Sequence, residues 1–528
     1  MEKNNSIPRS KVDEQTGVDS AIIQQMVEQM SFNGIDIHSI MLIRNGKVAC
    51  EGYGAPFSKD RGHMMYSVSK SFLATAYGFA LAEGKVSRQT KLLDVYPELR
   101  PEKTDEKLEK LTLHHLITMT AGKQSSVKGV NKYNRLEAFV KQKWIFSPGE
   151  DWRYVNENYY VAAAMLSKVL GESITEYLTP RLYEPLGIEA PFWEKSADGI
   201  ESGGYGLILK TEDFAKFVLC YSNNGIYNGK QVIPASWVSE ATTKQADTSV
   251  VETHTDSAVG YGCGFWQCAG MDNTYRCEGM FCQFGIVFKD YDACLVMTSN
   301  ESDLQKTLDM LWRYIPKAFS DNGSYGSTTL SLSSKTSVTV NRRSSIEKKI
   351  NGSIYKMRKC RFVNAIGLPI SIFPMPVVFF AHNHGGNMDK LKFEFDENGC
   401  LFSWDEDGNN KNTVYLGMSG EASIGKVRIG DLNLTTRSWA YWDNKTRLVM
   451  HVYPLEAVAE RILVFEFRGN KLRMLPVSRP GTDEKAKKIG DKLKCVLTGR
   501  YFHTWIDILV PRVNKILNPV HYGKRLRK

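Results

Sequence analysis

The sequence lacks any apolar run long enough to cross a lipid bilayer. The longest candidate, residues 366–381, is shorter than an ordinary span, and Pro369, Pro374 and Pro376 interrupt it. Residues 1–15 have no apolar core, so they do not resemble a secretory signal peptide. Unless the sequence is a trimmed mature form, these features predict a soluble cytoplasmic protein with no integral membrane segment.

Cysteine is also sparse, with ten residues in a chain of 528, which is typical of reduced thiols. Four of them cluster, at Cys263, Cys268, Cys277 and Cys282. The gaps between them are wider than the two-residue knuckles of common structural zinc sites, and the histidines are scattered. Core packing is the favoured interpretation of the cluster. No glycine-rich phosphate loop precedes a predicted helix, so the sequence predicts neither a metal nor an organic cofactor.

Charge of one sign is not concentrated. The formal net charge is +10, a mild excess for 528 residues, and the densest basic cluster lies at residues 524–528. A nucleic-acid-binding protein needs its positive charge gathered on one face. We therefore predict no nucleic-acid partner, and we favour a solvated tail over a lipid-binding or polyanion-binding one. The apolar fraction of 42% is typical of a globular protein, and the length predicts at least two domains.

The pattern of helices and strands divides the chain into four parts. Residues 1–17 are polar and are predicted to form a loose tail, and residues 319–345 are rich in Ser, Thr, Gly and Asn, which predicts a linker. Residues 18–318 mix helices with short strands, an α/β pattern with strands at both ends. The predicted elements are helices at 21–30, 66–82 and 158–170, a hairpin at 36–51, and strands at 280–288 and 294–298.

Residues 346–528 are predicted to form a mostly β, small barrel-like domain with a helical end at 505–517. Alternating apolar residues predict strands at 391–395, 413–418, 447–453 and 461–467. His382, Asn383 and His384 are followed by Gly385 and Gly386 and could mark a site, but a flexible loop is the favoured interpretation.

Ser67 and Lys70 form the first chemical motif. A serine hydroxyl is a poor nucleophile and needs a nearby base and an oxyanion site. If a helix begins at Ser67, Lys70 lies one turn later on the same face, and the helix N-terminus offers free N–H groups. A Ser-x-x-Lys tetrapeptide alone is weak evidence, because a capping serine followed by a surface lysine is common.

Tyr154 and Asn156 form the second motif, directly before the helix predicted at 158–170. Two residues separated by one in an extended loop point to the same side. The phenol could shuttle a proton, and the amide could hold an amine and a carbonyl group. Alone, this motif is also weak, since a core tyrosine and a capping asparagine would look the same.

Taken together, the motifs resemble those of the serine β-lactamase and penicillin-binding-protein-like family, in particular its class C, D-aminopeptidase and esterase branch. That family pairs a Ser-x-x-Lys helix with a downstream Tyr-x-Asn loop. The resemblance covers about residues 18–318. Further matching stretches are Met-Tyr-Ser-Val-Ser-Lys-Ser-Phe at 65–72, Leu-His-His-Leu-Ile-Thr-Met-Thr-Ala-Gly at 113–122, Ser-Gly-Gly-Tyr-Gly at 202–206 with Thr-Glu-Asp-Phe at 211–214, and Tyr-Gly-Cys-Gly-Phe at 261–265.

The resemblance implies an α/β transpeptidase-like domain with an antiparallel sheet and a helical subdomain. It also implies that Ser67 attacks an ester or amide carbonyl and forms an acyl-enzyme. Lys70 would take or relay the proton, Tyr154 would act as general base and then as general acid on the leaving group, and Asn156 would hold Lys70 and the substrate carbonyl. Whether the base is Lys70 or Tyr154 stays open at this point.

The third motif of the family departs from its usual form. Where the family carries Lys-Thr-Gly or a histidine variant, this sequence has Cys277-Glu278-Gly279. Gly279 would keep the close approach of substrate to the strand, and the Met280 N–H would be the second oxyanion donor beside that of Ser67. The cation that usually meets a substrate carboxylate is missing, which predicts poor β-lactam hydrolysis. Arg276 could restore positive charge, although the sequence does not place it.

Two roles remain possible for the changed residues. Glu278 could attract a substrate amine, as in an aminopeptidase, but a solvent-facing side chain is favoured. Cys277 could be a modifiable thiol, but packing is favoured.

The resulting function is a serine hydrolase acting on a small-molecule or peptide substrate, either as an esterase or in a peptidase-like or amidase-like manner. A catalytically weak penicillin-binding or sensor protein that keeps the fold is the alternative. The sequence allows a homo-oligomer without predicting one, and the β-rich domain could serve dimerisation, cover the active site or bind a lipid or peptide.

Overall fold

The computed structural model describes residues 6–103, 105–124, 134–333, 338, 342–358, 388–406, 410–479 and 520–526. The chain divides into two compact units, a first unit of Met1–Lys335 and a second unit of Thr336–Lys528. The predicted helix at 505–517 and the residues His382, Asn383 and His384 lie outside the described residues.

A seven-stranded sheet forms the centre of the first unit. All described pairings in it are antiparallel, except that its short edge strand runs parallel to its neighbour. The sheet brings the start of the unit beside its end, as the α/β pattern predicts. From edge to edge its strands are Thr328–Thr329, Lys47–Tyr53, Ile37–Arg44, Ala293–Ser299, Gln283–Phe288, Thr274–Gly279 and Trp266–Gln267.

Helices cover both faces of this sheet, because its strands carry apolar residues on both sides. One core contains residues of the first and last helices of the unit, Ser20–Phe32 and Leu304–Ala318. The other core is larger and contains the remaining long helices. The helices between the first and the last are Ser69–Ala82, Leu92–Val95, Glu106–Lys110, Leu113–Ile117, Arg135–Val140, Asn156–Leu170, Ile174–Leu178, Glu184–Leu186, Thr211–Ser222 and Ala235–Ala241.

Two small hairpins complete the first unit. One joins Gly62–Met64 to Ile208–Lys210, and the other joins Ile226–Tyr227 to Lys230–Gln231. The first of these matters for function, because Gly62–Met64 leads directly into the turn that contains Ser67.

The strand predicted at 280–288 starts too early. The structure instead has a turn between Thr274–Gly279 and Gln283–Phe288, and Phe281 and Cys282 adopt positive φ angles of 68° and 61° there. Side chains other than glycine rarely adopt this conformation, so the apolar pattern of the segment conceals the chain reversal.

The predicted loose tail differs from the structure. Ile7 is only 1% exposed, and Arg9 forms ion pairs with Glu51 and Glu212 at 2.9 and 2.7 Å. The few large groups of this polar segment therefore attach it to the first unit. The predicted linker also differs at its start, because Thr328–Thr329 is the edge strand of the sheet and the division between units falls after Lys335.

The second unit contains a closed barrel, which confirms the predicted barrel-like architecture. Nine strands follow one another around it, and the pairing of Gly417 with Trp439 closes the ring. A tenth strand, Ser423–Ile429, pairs alongside. The ring consists of Asn410–Gly417, Gly399–Glu406, Met388–Phe395, Ile354–Met357, His521–Arg525, Lys471–Arg479, Glu460–Arg468, Arg447–Pro454 and Leu432–Asn444.

Aromatic rings fill part of the barrel interior. Phe393 lies with its ring centre 5.2 Å from that of Phe465 and 5.3 Å from that of Phe402, and all three are fully buried. The short helix Glu347–Ile350 precedes the barrel, so the first strand begins at Ile354. Among the described residues of both units, none of the helices combines the length and the apolarity needed to cross a bilayer.

Candidate active site

Ser67 lies in a single 3₁₀ turn, Tyr66–Val68, that leads into the helix Ser69–Ala82. Tyr66 has a φ angle of 49°, so the chain turns sharply just before the serine. The Ser69 hydroxyl donates to the Tyr66 carbonyl at 2.6 Å and accepts from the Leu207 amide at 3.3 Å. Ser67 is therefore held at the N-terminal end of a buried helix, where free backbone N–H groups are available.

Lys70 connects three parts of the site through its amine. Its Nζ lies 2.9 Å from Ser67 Oγ, 2.9 Å from Asn156 Oδ1 and 2.7 Å from the Gly204 carbonyl oxygen. Asn156 Oδ1 and the Gly204 carbonyl can only accept hydrogen bonds. In a neutral amine they take both N–H groups, which leaves the nitrogen lone pair directed at the Ser67 hydroxyl.

The surroundings of Lys70 favour that neutral form. The side chain is 1% exposed, and burial lowers the pKa of its amine from 10.5 to about 7, against a smaller opposing effect of the Glu157 charge. The aromatic rings of Tyr154 and Tyr159 flank the amine, with centres 4.9 and 5.6 Å from Nζ. A lysine in this setting can accept a proton near neutral pH.

The loop that carries Tyr154 is held by Met119, which belongs to the 113–122 stretch. Met119 has a φ angle of 61°, its carbonyl accepts from the Arg153 amide at 3.0 Å, and its sulfur lies 3.4 Å from the Val155 amide. The conformation of the 113–122 stretch thus positions Tyr154 from both sides. Asn156 then begins the helix Asn156–Leu170.

Tyr154 remains a neutral phenol in this environment. Burial raises the pKa of its hydroxyl well above 10, while the hydrogen bond with Ser67 opposes this and the charges of Glu278 and Glu252 add to it. Its ring stacks on that of Trp266, with ring centres 5.9 Å apart and planes 22° apart. The phenol is therefore placed to pass a proton between Ser67 and a leaving group.

Glycines allow the separate motifs to meet. A side chain on Gly203 would place its Cβ 2.5 Å from the Tyr159 carbonyl oxygen, so only glycine brings the Gly204 carbonyl to Lys70. Ser71 donates to the Gly264 carbonyl at 2.6 Å, which joins the nucleophile helix to the 261–265 stretch. The stretches that resemble family motifs converge on one helix.

Gly279 brings the end of the strand Thr274–Gly279 against the nucleophile turn. A Cβ atom on this residue would lie 2.2 Å from the Met65 carbonyl oxygen and 3.2 Å from the Ser67 amide nitrogen. Met280 follows at the end of the strand and is 39% exposed. The strand end and the Ser67 amide are therefore neighbours at one side of the cleft.

Cys277 does not reach the cleft. Its side chain is buried in the core, and its sulfur lies 3.5 Å from the Gly285 carbonyl oxygen. Burial raises the pKa of its thiol to about 12. The Cys277 side chain therefore packs in the core, as the favoured interpretation holds, and takes no part in binding substrate, because successive side chains of a strand face opposite sides.

Glu278 faces the other side of the same strand, together with Arg276. The Arg276 guanidinium donates to the Glu278 carboxylate, Nε to Oε2, at 2.7 Å. It also donates to the Gln267 and Asp256 carbonyls at 2.8 and 3.1 Å. Arg276 is completely buried, so it does not supply the missing cation for a substrate carboxylate. The Glu278 side chain is not solvent-facing, since it is only 14% exposed.

Two features of the site are not among the predicted residues: the Gly204 carbonyl and the Trp266 ring. The paired glycines at 203–204 are the only sequence signal for the first, and the aromatic residue after the 261–265 stretch is the signal for the second. Arg276 and Glu278 are both named from the sequence, but their pairing is not predicted. In the described part of the chain, no group of three His, Cys, Asp or Glu side chains is placed to hold a metal ion, and eight cysteines are free.

Comparison with known proteins places the chain in a family. The Beta-lactamase family model matches residues 20–318, more than half of the chain. The chain belongs to this family, which confirms the resemblance seen in the sequence. The matched residues include Ser67, Lys70, Tyr154 and Asn156, all of which lie in the first unit.

Individual relatives are distant. The chain is 27% identical over 185 residues to a beta-lactamase of Pseudomonas fluorescens, covering 33% of this chain and 49% of that protein. It is 23% identical over 250 residues to an uncharacterized protein of Alkalihalophilus pseudofirmus, covering 41% and 67%. Among solved structures, a putative 6-aminohexanoate-dimer hydrolase from Bacillus anthracis matches with a TM-score of 0.46 and 19% identity, covering 55% and 80%. The chain thus spans only about half to two thirds of the length of these curated relatives.

Proposed function

We propose that this protein is a serine acyl-hydrolase that cleaves an ester or amide bond through an acyl-enzyme on Ser67. The observation that carries this proposal is the amine of Lys70, 2.9 Å from Ser67 Oγ, with two obligate acceptors on its other sides. A serine in contact with a buried lysine needs no such arrangement of acceptors for packing alone. The same arrangement is what an activated nucleophile requires.

The general base in this proposal is Lys70. Its lowered pKa of about 7 makes the neutral amine available at neutral pH, whereas the raised pKa of Tyr154 disfavours a phenolate. As Ser67 Oγ bonds to the substrate carbonyl carbon, its proton passes to Lys70 Nζ. The resulting ammonium is held by Asn156 Oδ1 and the Gly204 carbonyl, which stabilise the positive charge as it forms.

Tyr154 completes the proton transfer. Its hydroxyl contacts Ser67 and its ring lies beside the amine, so it can pass the proton from Lys70 to the departing alkoxide or amine. Water then attacks the acyl-enzyme, and the same groups work in reverse. Tyr154 therefore acts as a relay rather than as the primary base.

The oxyanion site would be formed by the backbone N–H groups of Ser67 and Met280. The close approach that Gly279 permits supports this assignment, because it sets the end of the strand beside the Ser67 amide. Two preorganised backbone donors of this kind typically contribute about 3–4 kcal/mol each to stabilising a developing oxyanion.

A β-lactam is expected to be a poor substrate. Cys277 stands at the position of the usual lysine and is buried, and Arg276 is buried and already paired with Glu278, so neither supplies a cation for the β-lactam carboxylate, while Glu278 adds a carboxylate nearby. Loss of one charge-assisted contact costs about 1.5–3 kcal/mol, before any repulsion is counted. Nitrocefin turnover at the rate of a dedicated β-lactamase would contradict this expectation.

Covalent labelling tests the proposal. After incubation with a fluorophosphonate probe, intact-mass measurement should show one adduct on the parent protein and none on the Ser67→Ala variant. Esters, D-amino-acid amides and penicillins would then be screened for turnover. The absence of an adduct on the parent would favour a sensor protein that keeps the fold, and an acyl burst without turnover would favour a weak penicillin-binding protein.

A further inference from the structure

Glu278 lies near the end of the strand Thr274–Gly279, on the face opposite to that of the buried Cys277. This residue directly precedes Gly279, whose backbone is in contact range of the nucleophile turn. The charge of Glu278 acts on the phenol of Tyr154, as does that of Glu252. Glu278 therefore lies close to the group that hands a proton to the leaving group.

The Arg276 guanidinium holds Glu278 in place without covering it. Arg276 contacts one carboxylate oxygen, Oε2, and its remaining donors are directed at the carbonyls of Gln267 and Asp256 and at Cys268 and Ser257. The Arg276 contact uses Oε2, so the guanidinium does not engage the other oxygen, Oε1. The carboxylate is thus oriented by a fully buried arginine and keeps one oxygen for a further partner.

The balance of charge around this position is negative. Among the described residues, Glu278 and Glu252 act together on Tyr154. Burial raises the pKa of the Glu278 carboxyl, and Glu252 and Asp256 add to this, whereas the paired Arg276 opposes them and favours the carboxylate. The Asp256 carboxylate is itself held by Gln305, Trp312 and the Ala269 amide. Lys70 adds little positive charge when its amine is neutral. An anionic group entering here is repelled, and a cationic group is attracted.

We propose that Glu278 is a specificity-determining residue that favours substrates with a positively charged leaving group, such as one bearing an ammonium, and disfavours substrates with a carboxylate there. This inference rests on the proposed acyl-hydrolase function. A lysine in the third motif favours a negatively charged substrate group, whereas Glu278 in this inference favours a positively charged one.

Three S-acetyl thioesters of similar size provide the test. Their leaving groups are thiocholine, which is cationic, 3,3-dimethylbutanethiol, which is neutral, and 3-mercaptopropionate, which is anionic. Single-turnover acylation of Ser67 is followed by thiol release and intact mass. We expect acylation to fall in that order, with the cationic ester favoured over the anionic one by about tenfold or more, and with the ratio shrinking as salt is added.

Variants of Glu278 assign the preference to this residue. Glu278→Gln should reduce the ratio of cationic to anionic acylation rates by about tenfold, and Glu278→Asp should keep most of it. Glu278→Gln leaves the buried Arg276 charge without its partner, which can destabilise the protein. The double variant Arg276→Met/Glu278→Gln removes the carboxylate without leaving a buried cation unpaired. Glu98→Gln makes the same change in net charge at an exposed position and should leave the ratio unchanged.

The outcomes separate this inference from the function on which it rests. In one set of outcomes the fluorophosphonate labels Ser67, while the three thioesters react equally, the anionic one reacts fastest, or none reacts. Each of these results would overturn the inference that Glu278 selects cationic leaving groups, and the acyl-hydrolase function would stand. An unchanged ratio in both Glu278→Gln versions would also overturn it. If the fluorophosphonate labels no residue, the acyl-hydrolase function itself fails.

Discussion

The two units of this protein are assembled in different ways. In the first unit, Ile37–Arg44 pairs with Ala293–Ser299, and the site joins residues near positions 67, 154, 204 and 279. In the second unit, most strands pair with the next strand along the chain, as Glu460–Arg468 does with Lys471–Arg479. The first unit therefore depends on a few close backbone approaches, while the second depends on repeated local pairing and a filled interior.

This difference explains what each unit reveals about function. Where distant segments must meet, particular residues are required, and the buried amine of Lys70 has a specific partner on each side. In the barrel, many apolar side chains could serve at each interior position. The residues of the barrel therefore indicate a fold only, whereas the site residues of the first unit also indicate a reaction.

The largest expected effect concerns the barrel interior. Phe465→Ala removes a fully buried ring that packs against Phe393 and Phe402, so the second unit should lose about 3–5 kcal/mol of stability. Hydrogen exchange read by mass spectrometry should show faster exchange in the barrel strands. At temperatures where the variant is folded, fluorophosphonate labelling of Ser67 should keep its rate, because every group that activates Ser67 belongs to the first unit.

Tyr355→Phe is the matched control for that experiment. The Tyr355 ring is fully buried in the same interior, but its hydroxyl has no hydrogen-bond partner. Removing an unsatisfied hydroxyl should be neutral or slightly stabilising. A large loss of stability in Tyr355→Phe, or a loss of labelling in folded Phe465→Ala, would contradict the contrast between the two units.

A somewhat smaller effect is expected at the close approach in the first unit. Gly279→Ala places a methyl group against the Met65 carbonyl, so the strand end must move away from the nucleophile turn. Acylation of Ser67 should fall by about 10²–10³, the usual effect of losing an oxyanion donor. Single-turnover labelling measures this, and Gly425→Ala is the matched control, because it replaces another strand glycine without a positive φ and its added Cβ would meet only the Thr436 hydroxyl at 3.6 Å. Equal rates in Gly279→Ala and the parent would show that the strand does not take part in catalysis.

The sequence predicts much of this account, but not all of it. Ser67, Lys70, Tyr154 and Asn156 are predictable because their types and spacings are demanded by one chemistry, and the structure brings all four together. The Gly204 carbonyl contact with Lys70 is not predictable, because any residue has a carbonyl and only the tertiary fold directs it. The side of the strand that Cys277 faces depends on a register that no local pattern fixes.

Other differences arise from local patterns that mislead. Residues 6–17 are polar overall, yet Ile7 and Arg9 attach them to the first unit through a few contacts. The turn at Phe281 and Cys282 carries apolar residues in a conformation usual for glycine, so it is predicted as strand. The barrel is predicted correctly because the alternation of apolar and polar residues along each strand indicates a strand from the local sequence alone.

The rate at which a fluorophosphonate labels Ser67, measured by intact mass from about pH 5 to pH 9, tests the central claim most directly. Burial lowers the pKa of Lys70, so its amine is protonated below about pH 7 and neutral above it. The account predicts that labelling rises about tenfold per pH unit below 7 and levels off above it, and that Ser67→Ala shows no adduct at any pH. A rate that is independent of pH across this range, or an adduct on another residue, would contradict the assignment of Lys70 as the base that activates Ser67.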